Sequence, residues 1–352
     1  MRALVFHGPG DIRVEKRPDP VPASDEVLLR IVATGICGSD VHGYTGESGR
    51  RHPGQIMGHE TVGRIVAVGG AVPTEWGLAP GRVTTVNPVI GCGSCEECAA
   101  GVEQLCANRR IIGVEPSLDS AFAELMVAPA RNVVVLADSV PEEHGALVEP
   151  LAVAYHAAVR GEVGPQDRVF VIGGGPIGQA CALAARRLGA SDVVVTEPSR
   201  ARRALVQRLG FVTIDPGTDR VADEVRGVLG QPASVVLDAV GTSATLADAF
   251  AASALGARVV LVGMNSPKIT VDAYAISTYE RSVIGSFTYP SRAFRATAEW
   301  VATQPAGLEH MVDDRVALAA APAAFDRLAS GQLDASKILV LPQEHGERVG
   351  RP

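Results

Sequence analysis

The chain has 352 residues, of which 47% are hydrophobic and 20% charged, with a formal net charge of −7. That length is more than one ordinary hydrophobic core accommodates, so about two domains are expected. No apolar run reaches the roughly 18 residues of a membrane span. No membrane partner is expected on that ground, and the interspersed arginines and acids argue against nucleic acid as the main partner and for a small ligand.

The N-terminus, Met1-Arg2-Ala3-Leu4-Val5-Phe6, runs straight into a strand-like pattern. It lacks the apolar h-region and small-residue cleavage site of a secretory signal, so a cytoplasmic location is expected. Through the first 150 residues, short alternating or β-branched runs are broken by Gly and Pro: Glu26 to Ala33, Thr61 to Val68, Arg82 to Val86 and Asn132 to Leu136. They predict an all-β, loop-rich domain. From Asp167 the texture changes. Strand cores at Arg168 to Ile172 and Asp192 to Thr196 alternate with helical stretches at Pro176 to Leu188 and Arg200 to Leu209. Strands near Val235 to Leu237 and Arg258 to Leu261 flank a helical stretch around Ala244 to Ala254. This alternation predicts a parallel, doubly wound sheet, so the fold class is α/β. Beyond Gly285, helices at Ala293 to Ala302 and Pro322 to Ser330 and a strand at Lys337 to Leu341 fit neither half and are expected to return to the first. Gln343 to Pro352 are polar and expected to fray.

Gly173-Gly174-Gly175-Pro176-Ile177-Gly178 directly follows the strand Val169-Phe170-Val171-Ile172 and opens a helix, the position a dinucleotide fingerprint requires. Glycines allow a tight turn and close approach of the pyrophosphate, and the helix N-terminus offers free N–H groups and its dipole. Pro176 suits the first helical turn. Nineteen residues after Gly178 stands Glu197, placed to accept hydrogen bonds from the adenosine ribose and to repel a 2′-phosphate, which favours NAD over NADP. Arg200, Arg202 and Arg203 are the opposing signal, since an arginine here pairs with a 2′-phosphate.

Cys92, Cys95, Cys98 and Cys106 form C-x2-C-x2-C-x7-C, and four thiolates at this spacing close a tetrahedral shell around one Zn²⁺. With every position filled by cysteine the zinc would be structural. Disulfides fit a cytosolic enzyme poorly, and a DNA-binding zinc finger would need a basic helix that is missing. A second constellation is dispersed: Cys37 in Gly35-Ile36-Cys37-Gly38-Ser39-Asp40-Val41-His42, His59-Glu60 after Gly58, and Glu149 in Val148-Glu149-Pro150-Leu151-Ala152. One thiolate, one imidazole and one or two carboxylates can hold zinc and leave a position for water or substrate. Taken singly, each is by default a buried thiol, a satisfied core histidine or a surface carboxylate.

Together these segments resemble the zinc-containing medium-chain dehydrogenases over nearly the whole chain, in the branch of polyol (sorbitol-type), threonine and butanediol dehydrogenases. The resemblance implies a GroES-like catalytic domain over residues 1–152 with a structural zinc lobe at about 88–110. It further implies a Rossmann NAD-binding domain over 153–287, a segment 288–352 returning to the catalytic domain, and a homodimer or homotetramer. By similarity Cys37, His59 and the Glu60 and Glu149 carboxylates are the catalytic zinc site, with either carboxylate as the ligand. The lobe zinc falls to Cys92, Cys95, Cys98 and Cys106. Arg202 matches the family's basic residue at the ribose, and Val262-Gly263-Met264 and Ser286-Phe287 match its nicotinamide-side segments.

A substrate hydroxyl entering the open zinc position would have its pKa lowered, as zinc-bound water does, so that an alkoxide forms and hydride leaves to NAD. Ser39, two residues after Cys37, would take the hydroxyl proton and His42 pass it to solvent, with Asp40 orienting the turn. Ser39, His42 and Glu149 are thus the expected catalytic set. Glu149 in place of a second cysteine makes the site harder and more hydrated, which suits a small polyol or diol. Thr288 stands where sorbitol dehydrogenases carry an arginine, although the neighbouring Tyr289 is retained, so sorbitol itself is disfavoured. The loop Tyr44 to Pro53, with Glu47, Arg50, Arg51 and His52, either lines the cleft, in place of the longer segments of threonine-specific relatives, or is a solvated face, the reading its charges favour. Threonine 3-dehydrogenase-like activity on a hydroxy amino acid is the alternative chemistry. A non-catalytic NAD or zinc sensor is the alternative class.

Overall fold

The computed structural model describes residues 1–217, 220–331 and 337–343. They form two compact units. One comprises Met1–Glu149, Pro290–Pro305 and the described residues from Val312 onward; the other comprises Pro150–Tyr289 and Ala306–Met311. Among the described residues no helix is long and apolar enough to cross a membrane.

The first unit is built on a seven-stranded sheet. Its central strand, Glu26–Gly35, alternates as a half-buried strand should: Val27, Leu29 and Ile31 point into an apolar cluster with Ile65, Val86 and Met126, and Ala33 is buried beyond them. On one side it pairs antiparallel with Glu60–Val68 and on the other with Leu125–Pro129 and Ile338–Leu341. Two register shifts along the first pairing bring Gly35 opposite Glu60, and the last strand sets Leu339 opposite Gly35. The ends of three strands far apart in sequence therefore meet at one corner. Behind that corner a second cluster of Ile36, Tyr44, Ile56, Met57, Phe122, Phe325 and Ile338 forms a dry floor. The fraying expected from Gln343 does not extend to Gln343, whose amide donates to the carbonyls of Ile31 and Glu124 at 3.3 and 3.2 Å. The rest of that tail lies outside the described residues.

In the second unit six strands, all parallel, stand in the order third, second, first, fourth, fifth, sixth. Their buried valines make them near-continuous apolar runs, as strands covered on both faces require. The first strand, Arg168–Ile172, lies between the second (Asp192–Thr196) and the fourth (Ala233–Asp238), so the strand order reverses beside it. Outside the carboxyl ends of the strands at such a switch point is where this architecture binds ligands. One expectation is corrected. Helix Ser243–Ala252 stops two residues short of Ala254, because Ser253 is already paired with Ala233 in the strand Ser253–Leu261. The alanines favour helix, and sheet pairing overrides them.

Candidate active site

Strand register builds the metal corner. Cys37 lies two residues past Gly35, and His59 immediately precedes Glu60 across the ladder, so the ligand atoms of Cys37, His59 and Glu60 come within 4.8 Å of one another. A thiolate, an imidazole and a carboxylate, two of the three residues buried, are the donor set of a zinc site with an open position. The donors fit that metal. Gly35 must be glycine, since a Cβ there would lie 2.0 Å from Glu60 Oε2. Glu149, the second residue of helix Val148–Arg160, is buried and lies outside this three-residue cluster.

Sequence reasoning missed Lys337. Residing immediately before the strand whose Leu339 pairs with Gly35, it reaches the same corner and donates from Nζ to both Glu60 oxygens, at 2.7 and 2.5 Å, and to the Ile36 carbonyl at 3.3 Å. Both side chains are 1% exposed. Burial pushes the Lys337 ammonium down, but the charges of Glu60, Cys37 and Glu149 more than offset this and hold it above its ordinary value. The only sequence signal was a lysine abutting the apolar run Ile338-Leu339-Val340-Leu341.

Asp40 organises the other side. Its Oδ2 accepts from the Cys37 amide at 3.1 Å, and its Oδ1 stands 3.6 Å from His59 Nδ1 and 3.6 Å from an Arg51 nitrogen. Burial raises the Asp40 carboxyl, while His59 and then Arg51 outweigh it and leave it below the usual range. Ser39 and His42 lie three apart on helix Gly38–Tyr44, which makes them surface neighbours. Ser39 is exposed, and His42 Nε2 is 4.0 Å from a Glu47 oxygen. Glu47, Arg50 and His52 face solvent as expected, but the Arg51 side chain does not: it is 2% exposed, turned inward toward Asp40.

In the lobe, the sulfurs of Cys92, Cys95, Cys98 and Cys106 lie within 4.8 Å of one another and all four are free thiols. Cys92 and Cys98 Sγ are 4.0 Å apart, close to the roughly 3.8 Å edge of a tetrahedron with Zn–S bonds of about 2.3 Å. Gly91 has to lack a side chain, because a Cβ would sit 2.7 Å from Cys98 Sγ. The lobe is stapled to helix Ser291–Ala302: Glu103 accepts from the Ser291 amide at 2.7 Å, and Arg292 reaches the Gly101 carbonyl at 3.3 Å.

In the second unit, Gly173, Gly175, Pro176, Ile177 and Gly178 form the turn and first helical turn after the first strand, with Pro176 opening helix Pro176–Arg187. A Cβ on Gly178 would lie 1.7 Å from the Gly173 carbonyl oxygen, so helix and turn approach as only glycine permits. Glu197 is buried, with one oxygen accepting from the Gly174 amide and the other from the Ser199 amide, each at 2.8 Å. Arg203 is occupied with the Glu197 and Pro198 carbonyls and with Asp215, whereas Arg202 has a buried Nε with no hydrogen-bond partner among the described residues. Asp238 also escaped sequence analysis. Its side chain accepts from the Val240 and Gly241 amides and from Thr245, and its carbonyl accepts from Val262 and Gly263, so it knots the Val262-Gly263-Met264 segment to the end of the fourth strand. Met264 and Phe287 are exposed. Ser286 Oγ and Thr288 Oγ1 are buried without a hydrogen-bond partner among the described residues, and Thr288 has φ of +50°. A threonine in the left-handed region costs on the order of 1–3 kcal/mol, and such strain gathers at binding sites.

Two sequence families match the chain: the alcohol dehydrogenase GroES-like domain over residues 23–138 and the zinc-binding dehydrogenase family over residues 176–303. A sorbitol dehydrogenase of Bacillus subtilis (strain 168) is 30% identical over 348 residues, covering 97% of this chain and 97% of the relative. An L-threonine 3-dehydrogenase of Pyrococcus horikoshii is 35% identical over 258 residues, 72% of each chain. Among solved structures, a Sinorhizobium meliloti 1021 chain described as a zinc-binding dehydrogenase and bound to NADP superposes with a TM-score of 0.89 at 31% identity, covering 97% of this chain and 99% of that one.

Proposed function

Because the chain belongs to the zinc-containing medium-chain dehydrogenase family, we propose that it transfers hydride between a secondary alcohol on a small polyol or diol and NAD. The observation that carries this reading is the cluster of half-buried Cys37 with buried His59 and Glu60, close in the chain to exposed Ser39 and half-exposed His42. When bound, zinc supplies Lewis acidity that lowers the pKa of a substrate hydroxyl. Cys37 and His59 are its ligands, together with a carboxylate. Glu60 stands in the cluster with Cys37 and His59 and has both oxygens engaged by Lys337, while Glu149 lies buried outside it, so the carboxylate ligand is Glu60 itself or, with Glu60 one step behind, Glu149. The second zinc, held by Cys92, Cys95, Cys98 and Cys106, is structural. The test is a screen for NAD reduction over diols, alditols, inositols, threonine and simple secondary alcohols, with zinc counted on the same sample. Two zinc ions per chain and turnover of a polyol or diol are expected; no turnover, or a single zinc, overturns the reading. Turnover of threonine alone moves the substrate to the hydroxy amino acids, the direction in which the Pyrococcus relative points.

Ser39 receives the proton from the substrate hydroxyl, and His42, its neighbour on the same helical face, passes it to solvent. General-base assistance of this kind contributes about 10²- to 10⁴-fold. Ser39→Ala is therefore expected to slow kcat by roughly 100-fold or more with both zinc ions retained. Unchanged kcat removes Ser39 from the proton path.

The nucleotide turn takes the pyrophosphate on the amides that open helix Pro176–Arg187, and Glu197 takes the ribose hydroxyls. Since both Glu197 oxygens already hold backbone amides, the carboxylate is fixed before the cofactor arrives. A 2′-phosphate would meet this charge, while Arg202 is the residue able to answer it. Charge-assisted hydrogen bonds contribute about 1.5–3 kcal/mol, so Glu197→Ala is expected to cut kcat/KM for NAD by roughly 10- to 100-fold and to narrow the gap to NADP. A wild-type chain that prefers NADP in that comparison reverses the cofactor assignment.

A further inference from the structure

We propose that Arg51 is a positioning residue of the catalytic metal site, a buried clamp that ties the Cys37–Asp40 turn to the Met57–His59 segment. The inference rests on the zinc reading above. The guanidinium spans the two stretches that deliver the ligands. On one side a terminal nitrogen lies 3.6 Å from Asp40 Oδ1 and 3.5 Å from the Ser39 carbonyl; on the other, Nε is 3.1 Å from Met57 Sδ, two residues before His59. A planar fork with five donors can serve both sides at once, which the single ammonium of lysine cannot. The fold makes room for it: a Cβ on Gly43 would lie 2.7 Å from Arg51 Cγ and 2.9 Å from its Nε.

What the clamp holds is the Asp40 carboxylate. One of its oxygens receives the Cys37 amide, and the other faces His59 Nδ1. This one buried group therefore stands against two of the protein ligands, bonded to the backbone of Cys37 and 3.6 Å from the His59 ring, and its rotation about the side-chain axis bears on both. Arg51, 3.6 Å from the oxygen that faces His59, fixes that rotation. Partners of this kind behind a metal ligand change metal affinity by about 10- to 100-fold when removed.

The experiment follows zinc release to a chromogenic chelator from the full-length, two-zinc protein, with the lobe zinc as internal control. Arg51→Gln is expected to release the catalytic zinc about 10- to 100-fold faster while the lobe zinc leaves at the wild-type rate. Arg51→Lys should recover part of the difference. Gly43→Ala, which keeps the arginine but crowds it, should shift release in the same direction. The d–d spectrum of the cobalt-substituted site, sensitive to ligand geometry, should move in R51Q and return partway in R51K. Catalytic zinc leaving R51Q and G43A at the wild-type rate overturns the clamp and leaves the zinc reading standing. A wild-type chain that holds only the lobe zinc overturns both. Should R51Q lose the lobe zinc as well, the glutamine has disturbed the whole unit, and R51K and G43A decide: wild-type release in both overturns the proposal.

Discussion

Lys337→Met is expected to destabilise the protein by about 3–5 kcal/mol, the usual cost of stripping one partner from a buried ion pair. Glu60 is 1% exposed, takes both its close contacts from Lys337 Nζ, and sits over Gly35, where nothing else can enter. Without the lysine its charge has no cation within hydrogen-bond reach among the described residues and no route to water. Urea denaturation with the catalytic zinc stripped, so that no metal ion stands in for the lysine, measures the effect as a fall in midpoint at constant slope. The double variant with Glu60→Gln is the sharper comparison. Removing both charges should recover much of the loss, since the penalty lies in the orphaned carboxylate rather than in a forfeited attraction. A single variant within about 1 kcal/mol of wild type would mean that the pair behaves like a surface bridge.

Cys37→Ser is expected to lower the zinc content from two to one per chain and to reduce turnover about a thousandfold, which corresponds to some 4 kcal/mol of lost Lewis-acid stabilisation. The thiolate is the soft member of the set, and a serine hydroxyl at the same place neither ionises near neutral pH nor binds zinc comparably. The lobe should keep its metal, because its four cysteines form a separate shell. Metal analysis and kcat on one preparation check both halves. A variant that retains two zinc ions, or turns over at the wild-type rate, removes Cys37 from the catalytic centre.

What sequence could tell followed the range of the interactions. The lobe cysteines lie within fifteen residues of one another, so spacing alone announced a tetrahedral cluster. The glycine turn was equally local, with strand, turn and helix contiguous. Cys37, His59 and Glu60 needed the family resemblance to be joined, because their meeting depends on a ladder with two register shifts, and no local pattern reports a shift. Lys337 was out of reach for the same reason, standing 277 residues from its partner. Arg51 failed differently. A loop reading Glu-Ser-Gly-Arg-Arg-His-Pro is by composition a solvated one, and only the gap left by Gly43 and the carboxylate of Asp40 turn one of its two arginines inward. The choice between Glu60 and Glu149 stayed open in the sequence, since both are glutamates beside unmistakable neighbours. The structure sets Glu60 with Cys37 and His59 and gives it Lys337 as a partner, neither of which a local pattern reports.

The pairing of the last strand with the central one also imposes an order of events on synthesis. Cys37, His59 and Glu60 are all translated early, while Lys337, at the head of the strand Ile338–Leu341, leaves the ribosome 277 residues after Glu60. Until then the metal corner has its ligands and an unneutralised carboxylate among apolar neighbours, with one flank of the sheet uncovered. The centre thus becomes whole only in a chain translated past residue 337, and a truncated chain carries a defect at the heart of its first unit rather than at its periphery.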